Sequence, residues 1–528
     1  MDRSTSSAPS IATREIGPPG KRRGLEANSN RWKLAILVLA AVAQLSLPLL
    51  GFYSTSADES ARAIGAADAS VADLIRPDVW PPFYEVTVGM ALHVDEDLVL
   101  IPRLVTFIAG LICLWALMTL TDRLFHDDRS TLIAGIIGAL VPHRLIFSVA
   151  PMSEIFLFLF TILAATSLIA WIDTNEPRHG LATGGWILLA TMVRYEAWAM
   201  AVIVAGYAGW RYLRRRDSYL LVVLAFCLGF PFVWLISNLT WPGDIRYLSI
   251  TRQQAALSPP PFSQLLTKTA LFQFAKDVVF IPGLLAGVAT LVIKIRRDRR
   301  FRIWAGLALS SILLVSLAAV VTQSTPLAAP WRLSGTWTLL LIPFFAYAVT
   351  WIWDTMGGRR ATAAATILLA ITVLPMIGRT ATKLGTTVLT TEELSIGREV
   401  GNLASQSDRL ALIDSNEGYE YLDMMVAAGH PDDFVLTRGD DPFVLAIFSG
   451  DLEAWEERAP DLVANHAAPN YSFDDGVDPV SLACDGIGLF LAHTEELKTA
   501  AASTSGLALV IAGAGWQVYQ VEVSCDKG

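Results

Sequence analysis

Long apolar runs recur between residues 34 and 378, and they restrict what the chain can fold into. The first run, residues 34–53, is twenty residues long and holds no charged side chain. About 20 apolar residues are needed for a helix to cross the hydrocarbon core of a bilayer. Only 17% of the 528 residues are charged, compared with roughly 25% in soluble domains. The sequence therefore predicts an all-α polytopic membrane domain that is embedded in the lipid bilayer.

Eleven segments qualify as candidate spans, although residues 181–193 and 197–211 are short and are separated by a brief polar turn. The candidates are residues 34–53, 99–121, 131–149, 154–172, 181–193, 197–211, 218–237, 277–294, 303–322, 333–352 and 361–378. The segment before them, residues 1–32, is rich in Ser, Pro, Gly, Arg and Asn, a composition typical of disorder. We expect a cytosolic tail there, and a transmembrane domain over residues 33–378.

Basic residues are unevenly divided between the connections that alternate along these spans. Cytoplasmic connections carry an excess of Lys and Arg. The short connections that would lie on the same side as the N-terminus hold Arg123, Arg129, Arg178, Arg211, Arg214, Arg215, Arg216, Lys294, Arg296, Arg297, Arg299, Arg300, Arg302, Arg359 and Arg360. The much longer loops at 54–98 and 238–276 hold few. This bias predicts a multi-pass plasma membrane protein with a cytoplasmic N-terminus and, because the span number is odd, an extracytoplasmic C-terminal region.

Residues 379–528 have a different character, since short β-like runs alternate with helical stretches. The β-like runs are residues 409–416, 432–439, 506–513 and 516–523, and the helical stretches are residues 419–429 and 450–467. This alternation predicts a C-terminal extracytoplasmic α/β domain. No Gly-rich phosphate loop follows the β-like runs, and no Cys/His metal spacing occurs. Cys484 and Cys525 are the two cysteines outside the candidate spans, and an oxidising compartment would allow them to pair; the sequence leaves this open.

The net charge of the chain is −9. A protein that binds nucleic acid usually presents a broad basic face to the phosphates. The sequence has no such basic region, and we therefore expect no nucleic-acid partner.

Ionisable residues collect at the predicted outer ends of the spans, where such groups cost free energy and tend to be functional. These residues are Asp58, Glu59, Arg103, His143, Arg144, Glu154, Arg194, Glu196 and Arg332. The inner ends carry only the basic residues expected of snorkelling side chains. We expect an outward-facing cavity lined with carboxylates and arginines.

Each of these residues also has a purely structural interpretation. Asp58 and Glu59 can be the solvated start of a loop, and Arg103 and Arg332 can be basic residues that reach from a span end to the interface. Arg194 and Glu196 can be an ion pair that holds a hairpin tip, and a lone histidine such as His143 is most often a buried structural residue. Their convergence on one side favours the functional interpretation.

The order of motifs along residues 34–350 resembles a known family. An acidic pair after the first span is followed by SARAIGAADASVADLI and WPPFYEVTVGMAL, then by PRLVTFIAG, VPHRLIFSVAPMSEIFLFLF, MVRYEAW and PWRLSGTWTLLLIPFF. This order is similar to that of the GT-C glycosyltransferases, and within them to the dolichyl-phosphate-mannose protein mannosyltransferase and lipid A aminoarabinose transferase group (glycosyltransferase family 39-like). One departure is Arg332-Leu333, where the family often has Arg-Tyr. The C-terminal domain has no evident counterpart.

The resemblance implies a donor that carries a sugar on a polyprenyl phosphate, and a lipid, polysaccharide or protein acceptor. Transfer from a phosphate needs a carboxylate to take the proton of the attacking hydroxyl and cations to take up the charge on the leaving phosphate. The candidate catalytic residues are Asp58 as general base, with Glu59 or Glu154 to orient the acceptor or to help hold a divalent cation. The candidate phosphate-binding residues are Arg103, Arg194 and Arg332, and the supporting residues are Arg144, Glu196 and Tyr84. No cofactor is certain; a divalent cation, Mg or Mn, would be held by Asp58 and Glu154. With no separate covalent nucleophile evident, we expect inversion at the anomeric carbon.

Three other interpretations compete with a glycosyltransferase. A transporter or lipid flippase would place its charges near the midplane on broken helices, often in repeated halves, whereas these charges lie at the outer ends and no repeat is evident. A membrane-anchored receptor would leave the carboxylates and arginines without a role. An O-antigen ligase or polymerase usually has its key residues in a late loop.

Overall fold

The structure is a computed structural model that describes residues 19–525 except 76–79, 241–260, 323–329, 357, 408, 417–418, 440–459, 461–462, 465–466 and 474–475. A helical bundle extends to Leu384, and a small α/β domain follows it. The helices of the bundle are α1 Pro19–Leu49, α2 Asp58–Ala67, α3 Phe83–Leu92, α4 Leu100–Phe125, α5 Asp128–Leu140, α6 Pro142–Phe147, α7 Glu154–Thr174, α8 Pro177–Thr191, α9 Glu196–Arg215, α10 Tyr219–Thr240, α11 Phe262–Thr267, α12 Ala270–Phe280, α13 Pro282–Arg297, α14 Arg299–Thr322, α15 Gly335–Met356 and α16 Gly358–Leu384.

Each of the eleven predicted spans coincides with helical structure. Among the described residues, 7 helices are long and apolar enough to cross a membrane, and the pair α12–α13 would make 8 if it forms one bent span. The predicted span at 131–149 is divided because Pro142 begins a new short helix after Val141, which breaks the hydrogen-bond ladder. The prediction of a polytopic helical membrane domain is therefore confirmed, with fewer full-length spans than the eleven apolar segments suggested.

The predicted span at 277–294 is not a straight helix. Helices α12 and α13 meet at Ile281 at an angle of 108°. Pro282 starts α13 and cannot donate a backbone hydrogen bond to the preceding turn, so the two helices change direction there. The bend leaves Asp277, near the end of α12, buried in the bundle.

Helix α1 begins earlier than the sequence predicted. The predicted disordered tail covers residues 1–32, whereas the helix starts at Pro19; residues 1–18 lie outside the described residues. Proline is well suited to a first helical position, and the Lys, Arg, Leu, Glu and Ala residues that follow are good helix formers.

The two ends of the bundle hold different groups of side chains. Helix α4 begins near Tyr53, whose carbonyl accepts a hydrogen bond from Arg103. It ends near Arg300, which donates to the carbonyl of Leu124. At this second end Arg129 Nη1 lies 3.2 Å from Asp354 Oδ1. The connections predicted to lie on one side of the membrane are thus close together.

The C-terminal domain contains one five-stranded mixed sheet. Its described elements are α17 Thr391–Ser407, β1 Leu410–Ile413, α18 Glu420–Ala428, β2 Phe434–Leu436, α19 Pro479–Cys484, β3 Ile487–Ala492, α20 Glu495–Ala502, β4 Leu507–Gly513 and β5 Trp516–Val521. The strand order is β2-β1-β3-β5-β4. Strand β1 pairs in parallel with β2 and β3, and β5 pairs antiparallel with β3 and β4. The α/β prediction is confirmed.

Four of the five strands fall in the predicted β-like runs, and β3 is the strand that the sequence analysis missed. All six residues of β3 are buried, so its sequence is continuously apolar and lacks the alternation of a half-exposed strand. Most of the helical stretch predicted at 450–467 lies outside the described residues. A disulfide joins Cys484 at the end of α19 to Cys525 after β5.

Candidate active site

Asp58 begins α2, immediately after the first span and its short connection. A carboxylate at the first position of a helix interacts favourably with the positive end of the helix dipole. Arg332 Nη1 donates a hydrogen bond of 2.9 Å to Asp58 Oδ2. The Asp58 side chain remains 44% exposed. A charged carboxylate is therefore accessible to a molecule that enters from this end of the bundle.

Glu154 brings two arginines from distant parts of the chain together. Its Oε1 atom accepts from Arg332 Nε at 2.5 Å and from Arg194 Nη1 at 2.9 Å. Glu154 is the first residue of α7, and its side chain is only 1% exposed. Two guanidinium groups that bind the same carboxylate oxygen are close enough to repel each other, and the negative charge of the carboxylate between them offsets that repulsion.

Arg194 lies in the turn between α8 and α9, where a second carboxylate holds it. Its Nη2 atom donates to Glu196 Oε1 at 2.8 Å, and its Nε atom donates to the same oxygen at 3.0 Å. Two predicted site residues at the hairpin tip thus join the cluster that contains Asp58, Glu154 and Arg332. We call these five residues the acid–arginine cluster.

Glu59 does not join the acid–arginine cluster, although it is adjacent to Asp58. Its side chain is buried, and its Oε1 atom accepts hydrogen bonds from Thr55 N at 2.7 Å and from Thr55 Oγ1 at 2.5 Å. Burial raises the pKa of Glu59 to about 8, even though the hydrogen bonds from Thr55 lower it. Near neutral pH this carboxyl group is mostly protonated, so Glu59 supplies no full negative charge.

Two of the predicted arginines are also used elsewhere. Arg103 donates to the carbonyl of Tyr53 at 2.8 Å and to the carbonyl of Val99 at 2.5 Å. All three bonds of the buried Arg144 guanidinium go to backbone carbonyls, those of Gly110, Gly138 and Ala139. Of these carbonyls, those of Gly138 and Ala139 are in the last turn of α5, where carbonyl groups lack a partner within the helix. The structure does not place either arginine in the acid–arginine cluster.

The predicted supporting residue Tyr84 is a buried structural contact. Its hydroxyl group donates to the carbonyl of Pro151 at 2.6 Å. Pro151 lies three residues before Glu154 in the chain. Tyr84 thus fixes the segment that enters α7, and it supports Glu154 through the backbone.

Arg62 was not predicted to take part, and the structure buries it beside this site. It pairs with Glu85 at 2.6 Å, and its guanidinium carbon lies 4.1 Å from the centroid of the Trp80 ring. Residues four apart in a helix share a face, so Arg62 lies on the same face of α2 as Asp58. That spacing was the sequence signal for it.

A second buried cluster holds the 3₁₀ turn that carries Arg332. Asp277 Oδ2 accepts from Ser334 Oγ at 2.5 Å, and Asp277 Oδ1 accepts from Arg379. His143 Nε2 lies 3.1 Å from the carbonyl oxygen of Trp331, the residue before Arg332. Asp277 and Arg379 were not predicted as site residues, although both are charged residues at the ends of predicted spans, the criterion that identified Arg332.

A divalent cation would need carboxylate oxygens that are free to coordinate it. Among the residues that the structure describes, no group of three or more His, Cys, Asp or Glu side chains could hold a metal ion. The Arg332 guanidinium lies between the carboxylates of Asp58 and Glu154 and donates to both. This pair of carboxylates therefore fits a guanidinium better than Mg or Mn.

Comparison with known proteins shows similarity to one family over part of the sequence and to one enzyme over the fold. The model of the dolichyl-phosphate-mannose-protein mannosyltransferase family matches residues 81–235. The crystal structure of ArnT from Cupriavidus metallidurans in the apo state superposes with a TM-score of 0.59 at 14% identity, covering 93% of this chain and 98% of that one. The structure of the same ArnT bound to undecaprenyl phosphate gives a TM-score of 0.59 at 13% identity, covering 94% and 98%. No curated protein sequence matches the chain.

These matches confirm the resemblance to GT-C glycosyltransferases and the fold class that it implied. At this identity the likeness to ArnT shows the fold alone. The match to 93% of the chain is too extensive to leave out the C-terminal domain, so at least part of that domain has a counterpart in ArnT. The sequence had shown no evident counterpart of this domain.

Proposed function

We propose that the protein is a membrane glycosyltransferase that moves a sugar from a polyprenyl-phosphate donor to a hydroxyl group of an extracytoplasmic acceptor. The acceptor class is a lipid, a polysaccharide or a protein. One observation carries the proposal: an exposed carboxylate, Asp58, lies beside two arginines that a buried carboxylate, Glu154, holds together.

The comparisons support the polyprenyl-phosphate donor. The name of the family that matches residues 81–235 refers to dolichyl-phosphate mannose. The ArnT structure with a similar fold has undecaprenyl phosphate bound. In both molecules a phosphate is attached to a long apolar chain. A site at the end of a transmembrane bundle suits such a donor, because the chain can remain in the bilayer while the phosphate reaches the arginines.

Asp58 acts as the general base in this mechanism. Its carboxylate accepts the proton of the acceptor hydroxyl as that oxygen forms a bond to the anomeric carbon. The bond from the anomeric carbon to the phosphate oxygen breaks, and its electron pair stays on the phosphate. The products are the glycosylated acceptor and polyprenyl phosphate. Because the acceptor attacks directly, the configuration at the anomeric carbon inverts.

Arg332 and Arg194 stabilise the charge that develops on the leaving phosphate. A guanidinium group can donate two parallel hydrogen bonds to phosphate oxygens. Glu154 orients both arginines, and Glu196 holds Arg194 in the hairpin turn. Arg332 also contacts Asp58, so the same side chain joins the base to the phosphate-binding group.

The test is a transfer assay with the purified protein in lipid nanodiscs, a panel of polyprenyl-phosphate sugars, and lipid, polysaccharide and protein acceptors. We expect free polyprenyl phosphate to be released from at least one donor, and Arg332→Ala to lose that release. Arg129→Ala, which breaks an exposed ion pair at the opposite end of the bundle, is the matched control. A flippase would move the lipid without cleaving it. Translocation of intact donors, with no cleavage of any of them, would contradict the proposal.

A further inference from the structure

The helix that carries Asp58 is held by the C-terminal domain. We propose that Ser60 and Asp423 are positioning residues, through which the C-terminal domain sets the orientation of α2 and hence of the Asp58 carboxylate. This inference rests on the proposed function for its catalytic consequence, whereas its structural part can be tested separately.

The segment before α2 is the first point of attachment. The backbone N–H groups of Tyr53 and Ser54 lie 3.2 Å and 3.3 Å from Thr387 Oγ1, to which they donate. Leu389 N in turn donates to Ser54 Oγ at 2.8 Å. Thr387 and Leu389 belong to the short connection between α16 and α17. The chain that leaves the first span is thus tied to the chain that enters the C-terminal domain.

The second attachment is on α2 itself, two residues after Asp58. Ser60 Oγ donates a hydrogen bond to Asp423 Oδ1, which is on α18 of the C-terminal domain. Both side chains are buried, with Ser60 3% and Asp423 1% exposed. A buried carboxylate that loses its hydrogen-bond partner destabilises the folded state. Loss of the hydrogen bond from Ser60 should therefore lower the free energy of unfolding.

The apolar face of α2 supports the same contact. Ala61 belongs to a cluster of buried side chains that includes Tyr421 and Met425 of α18, and Ala57 and Ile64 pack against that cluster. Residues 57, 61 and 64 lie on one face of a helix because they are spaced by four and three. Asp58 and Arg62 lie on another face, where Arg62 meets Glu85 of the bundle.

Helix α2 is therefore clamped between two layers. One face contacts the membrane domain through Arg62, and the other contacts the C-terminal domain through Ser60. Burial raises the pKa of Asp423 to about 7, although the Ser60 hydrogen bond lowers it, which agrees with a desolvated contact. A rotation of α2 by a few degrees would move the Asp58 carboxylate relative to Arg332, and a misplacement of about 1 Å can cost roughly 10²-fold in rate.

Hydrogen–deuterium exchange tests the structural part without any substrate. We expect Asp423→Ala and Ser60→Ala to raise exchange across residues 54–67 about tenfold, the change that loss of one buried hydrogen bond brings. Asp414→Asn is the matched control, because Asp414 is a buried aspartate of the same domain that accepts from His493 N and Thr494 N, away from α2. Unchanged exchange in Asp423→Ala, or an equal rise in Asp414→Asn, would overturn the proposal.

The transfer assay tests the catalytic part in the same variants. We expect Ser60→Ala and Asp423→Ala each to lower kcat about tenfold, with little change in the donor KM. Because both substitutions remove the same contact, the kcat of the double variant should be no lower than that of the less active single variant. Asp423→Asn keeps a carbonyl acceptor for Ser60 and should lose less. If the wild-type protein releases no polyprenyl phosphate, the proposed function fails. If it is active and the kcat of Asp423→Ala is unchanged, this inference fails.

Discussion

Asp58 and Glu59 show how differently two adjacent acidic residues can be placed. Successive residues of a helix point about 100° apart, so one side chain faces the open end of the bundle and the other faces inward. Asp58 is exposed and paired with Arg332, whereas Glu59 is buried against Thr55. The sequence predicted a role for the acidic pair, but only the fold separates the exposed carboxyl group beside Arg332 from the buried one beside Thr55.

The raised pKa of Glu59 predicts how stability depends on pH. Between about pH 4.5 and about pH 8 the folded protein keeps a proton on Glu59 that the unfolded chain has lost. The folded state then binds more protons than the unfolded state, so the free energy of unfolding falls as pH rises through this range. Thermal unfolding of the protein in detergent should show a Tm that decreases as the pH rises from about 4.5 to about 8.

Replacing Glu59 isolates its part of that decrease. Glu59→Gln cannot ionise, and we expect its Tm to fall less across the same pH range than the wild-type Tm. Glu96→Gln is the matched control, since Glu96 is an exposed carboxylate and should leave the wild-type profile unchanged. Parallel profiles for wild type and Glu59→Gln would show that Glu59 ionises normally in the folded protein.

At the scale of single elements, the positions of the helices follow from local sequence and their contacts do not. Every predicted span is helical because an apolar run of sufficient length is a local signal. The bend at Ile281 follows locally from Pro282, whereas the pairing of Asp277 with Arg379 joins residues far apart in the chain. The acid–arginine cluster could be predicted in part, since charged span ends are visible in the sequence. The positions of Arg103 and Arg144 outside it could not, because both bind backbone carbonyls, and no sequence pattern marks those contacts.

The contact between α17 and α18 needs small residues, which gives a prediction for this element pair. A Cβ atom added at Gly401 would lie 2.3 Å from the carbonyl oxygen of Ala428. Gly401→Ala should therefore push the two helices apart and destabilise the C-terminal domain by about 1–3 kcal/mol. Gly378→Ala is the control, because a Cβ atom there meets nothing within 4 Å, and replacing glycine in a helix should stabilise by up to about 1 kcal/mol. Thermal unfolding of both variants measures the difference, and a Gly401→Ala Tm at or above that of wild type would contradict the close packing.

At the scale of the whole molecule, the bundle and the C-terminal domain both contact α2. The order of motifs along residues 34–350 was enough to predict the resemblance that the family model matches over residues 81–235, and the fold that ArnT shares. The part played by the C-terminal domain was not predictable, because Ser60 and Asp423 are separated by most of the chain and neither carries a recognisable pattern. The disulfide between Cys484 and Cys525 is typical of an oxidising compartment, which agrees with the predicted extracytoplasmic location of this domain.

That orientation leads to a prediction for intact cells. A membrane-impermeant maleimide should label Ser503→Cys, which is exposed in the C-terminal domain, and should not label Arg215→Cys, which is exposed at the end of α9. The natural cysteines give little background because Cys113 and Cys227 are buried and the other two are joined. After membrane permeabilisation, both variants should react. Labelling of Arg215→Cys alone in intact cells would show that the topology is the opposite of the predicted one. The acid–arginine cluster would then face the cytosol.

The most direct test of the central claim is the turnover of Asp58→Asn in the reconstituted transfer assay. Asparagine keeps the size of the side chain and a carbonyl oxygen for Arg332, but it cannot take the proton of the acceptor hydroxyl. We expect turnover to fall by about 10²–10⁴, the usual contribution of a general base, with the Tm and donor binding retained. Glu59→Gln should lose less, because its carboxyl group is buried and protonated. Turnover of Asp58→Asn close to that of wild type would contradict the mechanism.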